Sequence, residues 1–230
     1  STGLVQETGA GLINADVLTT SSAGGTSLTN ANVVSSFTAT NITSGNIALT
    51  NTAAPLTITN ITQSGGGDVI IINTGAIDVT GTVAATAGDV SLTATGAITD
   101  SGAGTLSGDL LTANTLNNAG AVITLDNVNN NFATINLAAL NAAGTDAVNA
   151  AITYTDANDV EIVAINVAAT MTNAGNVTLT SVAGAISDGN TGGVIHAALL
   201  TTSSVTGTVL DNNYHFLTGF TATNSTSGDI

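Results

Sequence analysis

A Gly, then Asn or Asp, then an aliphatic residue recurs at Gly45-Asn46-Ile47, Gly67-Asp68-Val69, Gly88-Asp89-Val90 and Gly108-Asp109-Leu110, at separations of 22, 21 and 20. The same tripeptide returns at Gly175-Asn176-Val177 and Gly228-Asp229-Ile230. A unit of about 21 residues is too short to bury an apolar face alone and does so only by stacking on its neighbours. That spacing predicts one coil of a solenoid.

A longer period overlies the short one. Gly88-Asp89-Val90-Ser91-Leu92-Thr93 followed by Gly96-Ala97-Ile98-Thr99-Asp100 recurs as Gly175-Asn176-Val177-Thr178-Leu179-Thr180 followed by Gly184-Ala185-Ile186-Ser187-Asp188, at an offset of 87 or 88. Gly3-Leu4-Val5-Gln6-Glu7 is a weaker first copy, and each copy leads into an aliphatic stretch, at residues 13–18, 106–111 and 195–200. The modules are residues 3–95, 96–183 and a partial 184–230. The closest match skips a module: Leu18-Thr19-Thr20-Ser21-Ser22 returns at 200–204 and Phe37-Thr38-Ala39-Thr40-Asn41 at 220–224, offsets of 182 and 183.

Leu56-Thr57-Ile58-Thr59 and Val177-Thr178-Leu179-Thr180 alternate aliphatic with hydroxylated residues, the pattern of a strand with one face inside and one wet. Gly followed by Asn or Asp supplies turn chemistry at the corners, so Asp68, Asp89, Asp109 and Asp229 read as turn formers that Asn46 and Asn176 replace. The predicted fold is all-β, a right-handed parallel β-helix with about 21 residues per coil, continuous over residues 1–230. The alternative is a tandem of immunoglobulin-like β-sandwich modules. Against it stand the finer repeat within each module, the absence of Trp, the 3% aromatic content and the lack of Pro-rich linkers.

Composition limits the partners. The 230 residues include no Lys or Arg and 15 acidic residues, for a net charge of -15, so no cation is available to lie against phosphate in nucleic acid or against an anionic membrane surface. Hydrophobic residues make up 43%, too many for a disordered acidic tail, yet the longest aliphatic run is Val69-Ile70-Ile71-Ile72, far short of the span that crosses a bilayer. Cysteine is absent, so disulfides and thiol chemistry are excluded. The sequence opens and stops inside repeats without a charge-rich cap, which predicts continuation of the same polypeptide or end-to-end stacking of molecules as a fibre.

Catalytic candidates are scarce. A polysaccharide lyase on a β-helix needs a basic side chain to take a proton, and a hydrolase needs two carboxylates across the scissile bond. The densest acidic segment, Asp156, Asn158, Asp159 and Glu161 beside Tyr154, contains no His. It is the one candidate calcium site, through oxygen ligands, although it lacks the glycine and spacing of an EF-hand loop, and its bland reading is a solvated corner. His196 and His215, nearly one coil apart, read as ordinary surface or corner histidines without a third metal ligand. No catalytic residue and no cofactor is assigned. Thr-x-Thr pairs at 38/40, 57/59, 93/95, 153/155, 178/180 and 221/223 suit an ice- or crystal-binding ladder, but their intervals keep no single register, which makes a poor template.

The pattern G-[DN]-V-x-L-T followed by G-A-I-x-D, with Leu125-Asp126-Asn127-Val128-Asn129-Asn130-Asn131-Phe132, resembles the repeats of filamentous haemagglutinin-like adhesins, large bacterial surface proteins. The resemblance implies a right-handed parallel β-helix exported through an outer-membrane partner and used in adhesion, aggregation or biofilm. The expectation is a non-catalytic extracellular stalk or fibre subunit of a bacterial cell surface, self-associating or continuing a longer chain and meeting a host or neighbouring-cell surface. It neither binds nucleic acid nor inserts in a membrane. The alternatives are a polysaccharide-acting β-helix enzyme and an ice- or crystal-surface binder.

Overall fold

The computed structural model describes residues 1–170, 173–189 and 192–230, and it is all β, with no helix among them. The chain groups into two compact units, Ser1–Thr112 and Ala113–Ile230. Each is a parallel β-solenoid.

In Ser1–Thr112 one column of paired residues runs Val5, Thr26, Ile47, Val69 and Val90, close to the expected coil length at every step. Others run Leu18, Phe37 and Ile58, and Leu56, Ile77 and Ile98. Strand periodicity explains which side chains enter. Within Val69–Asn73, Val69 and Ile71 are buried and Ile72 faces solvent, and Ile71 pairs with Leu49 and Leu92 on the adjacent coils. Every inward aliphatic in such a column packs on one above and one below, so a coil's apolar face is completed by its neighbours.

In Ala113–Ile230 the coil length varies. The column Ile123, Ile152, Val177, Leu200 and Phe220 takes a shorter step along the chain at each successive coil. The inward positions nonetheless stay in register, with Leu125, Tyr154 and Leu179 stacked and buried. Extra residues are absorbed at corners, where backbone need not pair. The coil of about 21 residues therefore describes the first unit closely, whereas in the second the coil starts longer and shortens to that length. Coil-to-coil strand pairing in both units is parallel, which removes the immunoglobulin-like alternative, a fold of antiparallel sheets.

Inside the corners of the first unit lie buried amides. Asn51 Oδ1 accepts the Val34 N–H (2.8 Å), and its Nδ2 donates to the Val34 carbonyl (2.9 Å) and to Asn73 Oδ1 (3.1 Å) on the next coil. Asn73 continues the column to Ala53 and Ala76. A second column joins Asn41 Nδ2 to Gln63 Oε1 at 2.9 Å. These amides satisfy backbone groups where the chain turns and the ladder is interrupted. Asn51→Ala is expected to lower stability by about 2 kcal/mol, because it leaves both polar groups of Val34 buried and unpaired. An unchanged urea midpoint would show that water replaces the amide.

Candidate functional site

The acidic segment of the second unit is built around Asp156, the last residue of the strand Ile152–Asp156. Alternation turns this residue inward, and it is 1% exposed. Its Oδ2 accepts the Tyr154 hydroxyl (2.5 Å) and the Phe132 N–H (3.0 Å), and Oδ1 accepts the Asn158 N–H (2.8 Å). Burial pushes the carboxyl above its usual range, and these three donors, set against the nearby Asp159 charge, only partly offset it. The corner read as solvated is thus internal at Asp156, because the residue falls on the inward phase of its strand.

The other three residues of that segment do different work. Asp159 accepts the Ala185 N–H (2.7 Å) of the next coil, and the Asn158 carbonyl accepts the Ser181 hydroxyl. Glu161 pairs across to Ser187 and lines a concavity of about 210 Å³ with Asp188 and Asp211. Among the described residues no three His, Cys, Asp or Glu side chains are grouped to hold a metal ion. With both Asp156 oxygens committed to internal donors, adding millimolar calcium or a chelator is expected to leave the melting midpoint unchanged. A shift of several degrees would mean that the segment rearranges around the ion.

Carboxylates elsewhere repeat this use. Asn46 Oδ1 accepts the Asp68 N–H (2.9 Å), Asp68 Oδ1 the Asp89 N–H (3.1 Å), and Asp89 Oδ1 the Leu110 N–H (3.1 Å). Asp78 takes the Ser101 N–H and hydroxyl and the Thr99 hydroxyl. Asp68 and Asp89, read as turn formers, also stitch their coil to the next, a role that Asn46 fills through its amide oxygen. Sequence reading misses this because the partner lies one coil away.

The histidines are not simple surface groups. His215 Nδ1 accepts the Ile195 N–H (3.2 Å), so the proton sits on Nε2, which donates to Asp188 Oδ2 at 2.9 Å. Asp188 Oδ2 also accepts the Asn212 N–H (2.8 Å). Both imidazole nitrogens are engaged, leaving no lone pair for proton abstraction. His196 is 3% exposed, its Nδ1 has no hydrogen-bond partner, and its ring meets Phe216 edge-on at 6.1 Å. Burial holds its pKa below 6.5, opposed by hydrogen bonding to the Asn166 backbone and reinforced by repulsion from His215 when that ring is protonated. The unfolded chain therefore takes up this proton first as pH falls. Stability is expected to decline as pH drops from 6.5 through the depressed folded value, and His196→Phe should flatten that slope in pH-resolved thermal melts.

The outer face carries a pattern invisible in linear spacing. In the second unit Thr124, Thr153, Thr178, Thr201 and Thr221 form one column. Thr155, Thr180, Ser203 and Thr223 form a second, two positions further along each strand, with Thr155 buried and the other three reaching solvent. The first unit has Thr19, Thr38, Asn60, Thr82 and Thr105 beside Ser21, Thr40, Thr62, Ala84 and Ser107. The Thr-x-Thr pairs at 153/155, 178/180 and 221/223 therefore share one face. Their uneven intervals come from coils of unequal length, not from loss of register. The resulting grid repeats at about 4.8 Å along the stack and about 6.7 Å along each strand.

Near the carboxy terminus an open groove of about 540 Å³ is lined by Gly192, Val194, Asp211, Asn212, Asn213 and Tyr214, with Tyr214 78% exposed. No helix among the described residues is long and apolar enough to cross a membrane. Compared with protein-family models, curated proteins and solved structures, the chain matches none.

Proposed function

We propose that this chain is a non-catalytic structural shaft of a bacterial cell surface, part of an adhesin or a fibre, acting outside the cell. The observation that carries the reading is where the polar side chains go. Asp68, Asp78, Asp89, Asp159 and Asp188 each accept a backbone N–H from the following coil, so the acidic groups hold the stack together. A chain that spends its carboxylates on coil-to-coil bonds, and carries no Lys or Arg, is suited to bearing load and resisting trypsin. Its partners are further coils of the same kind, and the surface ligand lies with whatever the shaft presents. Sedimentation of the purified chain over a hundredfold concentration range tests self-association. Growth of large species supports the fibre form. A strictly monomeric chain that cleaves acidic polysaccharide would sink the shaft reading.

The hydroxyl grid favours a second reading, binding to an ordered surface such as ice. Columns of Thr in register on successive coils present methyl and hydroxyl groups at a repeat that ordered water can match. Replacing Thr178 and Thr201, adjacent in one column, with Tyr would interrupt the hydroxyl column without touching the core. Inhibition of ice recrystallisation by the native chain and its loss in the double variant would support this reading. No inhibition at micromolar concentration would remove it.

A further inference from the structure

Four Asn-x-Ser/Thr triplets occur in the chain, Asn41-Ile42-Thr43, Asn60-Ile61-Thr62, Asn176-Val177-Thr178 and Asn224-Ser225-Thr226. This is the triplet on which sugars are attached to asparagine, the hydroxyl two residues on being read together with the amide. Attachment needs an amide nitrogen that is free and faces solvent, and the fold withdraws three of the four. Asn41 is fully buried, and its Nδ2 donates to the carbonyls of Ser44 (2.9 Å) and Gly45 (2.8 Å) and to Gln63 Oε1 (2.9 Å). Asn60 is half-buried, and its Nδ2 donates to the Thr62 hydroxyl of its own triplet at 3.2 Å. Asn224 Nδ2 donates to the carbonyls of Ser227 (2.6 Å) and Gly228 (2.9 Å).

Asn176 differs. It is exposed, and its side chain has no hydrogen-bond partner among the described residues. Val177, which opens the strand Val177–Ser181, turns inward and is fully buried, so strand alternation sets Asn176 and Thr178 on the outer side together. The corner itself does not impose this freedom. Asn176 holds the same place in the Gly-Asn/Asp-aliphatic tripeptide as Asn46, Asp68 and Asp89, and its backbone is used as theirs is: its carbonyl accepts the Ile152 N–H (3.0 Å), as the Asp68 carbonyl accepts that of Ile47 (2.8 Å). Each of those three residues also accepts a backbone N–H of the next coil on its side-chain oxygen. The Asn176 side chain accepts none, so a group attached to it breaks no bond of the stack.

We propose that Asn176 is an N-glycosylation site, the acceptor for a sugar that a glycosyltransferase delivers from a phosphate-activated donor. Asn176 Nδ2 attacks the anomeric carbon of the sugar. The carbon–nitrogen bond forms as the bond from that carbon to the donor's phosphate oxygen breaks, the phosphate leaves with the electron pair, and one amide proton passes to a base of the transferase. The proposal rests on the reading that the chain acts outside the cell in one respect, that export takes it past such an enzyme.

The test isolates the native protein from the cells that make it, cleaves it at acidic residues because it has no Lys or Arg, and maps the peptides by mass spectrometry with fragmentation that preserves the sugar. Residues 162–187, between Glu161 and Asp188, carry the Asn176 triplet and none of the other three. A hexose-containing adduct on Asn176 in most molecules is expected, with bare amides at Asn41, Asn60 and Asn224. Thr178→Val keeps the asparagine and suits an outward strand position, so it should lose the adduct and leave the melting midpoint unchanged. A bare Asn176, equal occupancy of the four asparagines, or an adduct that survives Thr178→Val overturns the proposal. Antibody labelling of intact cells reports on the surface reading separately. Labelled cells with a bare Asn176 overturn the proposal alone, and unlabelled cells with a modified Asn176 overturn the surface reading alone.

Discussion

Ile98→Asp should unfold the coils around it in the first unit, and Ile186→Asp should do the same in the second. Both isoleucines are fully buried and occupy equivalent positions of the longer repeat. Ile98 pairs with Ile77, and Ile186 with Val160 and Thr208. A carboxylate placed there finds no cation, because the chain has no Lys or Arg. Either it stays charged in an apolar column or it takes up a proton and buries two unpaired oxygens, a loss on the order of 4–5 kcal/mol. Coils touch only their neighbours, so the loss should be local before it is global. Hydrogen exchange should show protection lost in the flanking coils of one unit and kept in the other. Uniform loss in both units would mean that the chain unfolds as a single cooperative body.

Asp156→Ala is expected to cost about 3 kcal/mol, because it strands the buried Phe132 N–H and removes the acceptor shared by the Tyr154 hydroxyl and the Asn158 N–H. Asp156→Asn keeps the shape and an acceptor and should cost far less. The same pair reports on protonation. Burial raises the folded pKa of Asp156 above 3.8, so the fold holds this proton more tightly than the unfolded chain. Its favourable share is fully present below 3.8 and is lost as pH rises through the folded value. The difference in stability between native protein and Asp156→Asn should change across that window and be flat above it. A flat difference throughout would mean that the carboxyl is solvated.

The repeat spacing is enough to read the solenoid, because the Gly-Asn/Asp-aliphatic tripeptide marks the same corner on each coil and strand alternation identifies Leu56, Ile58, Val177 and Leu179 as inward. The second unit is less legible. Its coils differ in length and carry the extra chain at corners, where nothing in the local sequence fixes it. For that reason Thr153, Thr178, Thr201 and Thr221 look scattered in the sequence although they stack. Asp156 and His196 read as solvent-facing from the sequence, since short-range polarity outweighs their phase within the strands. The amide columns at Asn41, Gln63, Asn51 and Asn73 have a signal at hand. Each polar residue follows an alternating strand at the inward phase, the position from which a side chain can reach the backbone of a buried corner.

The most direct test of the shaft is electron microscopy and diffraction of the native material at the surface of the cells that make it. The account predicts surface-attached fibres or stalks with an axial repeat of about 4.8 Å, the spacing of stacked parallel strands. Finding the protein only as dispersed molecules, with no surface-attached assembly and no such repeat, would contradict it.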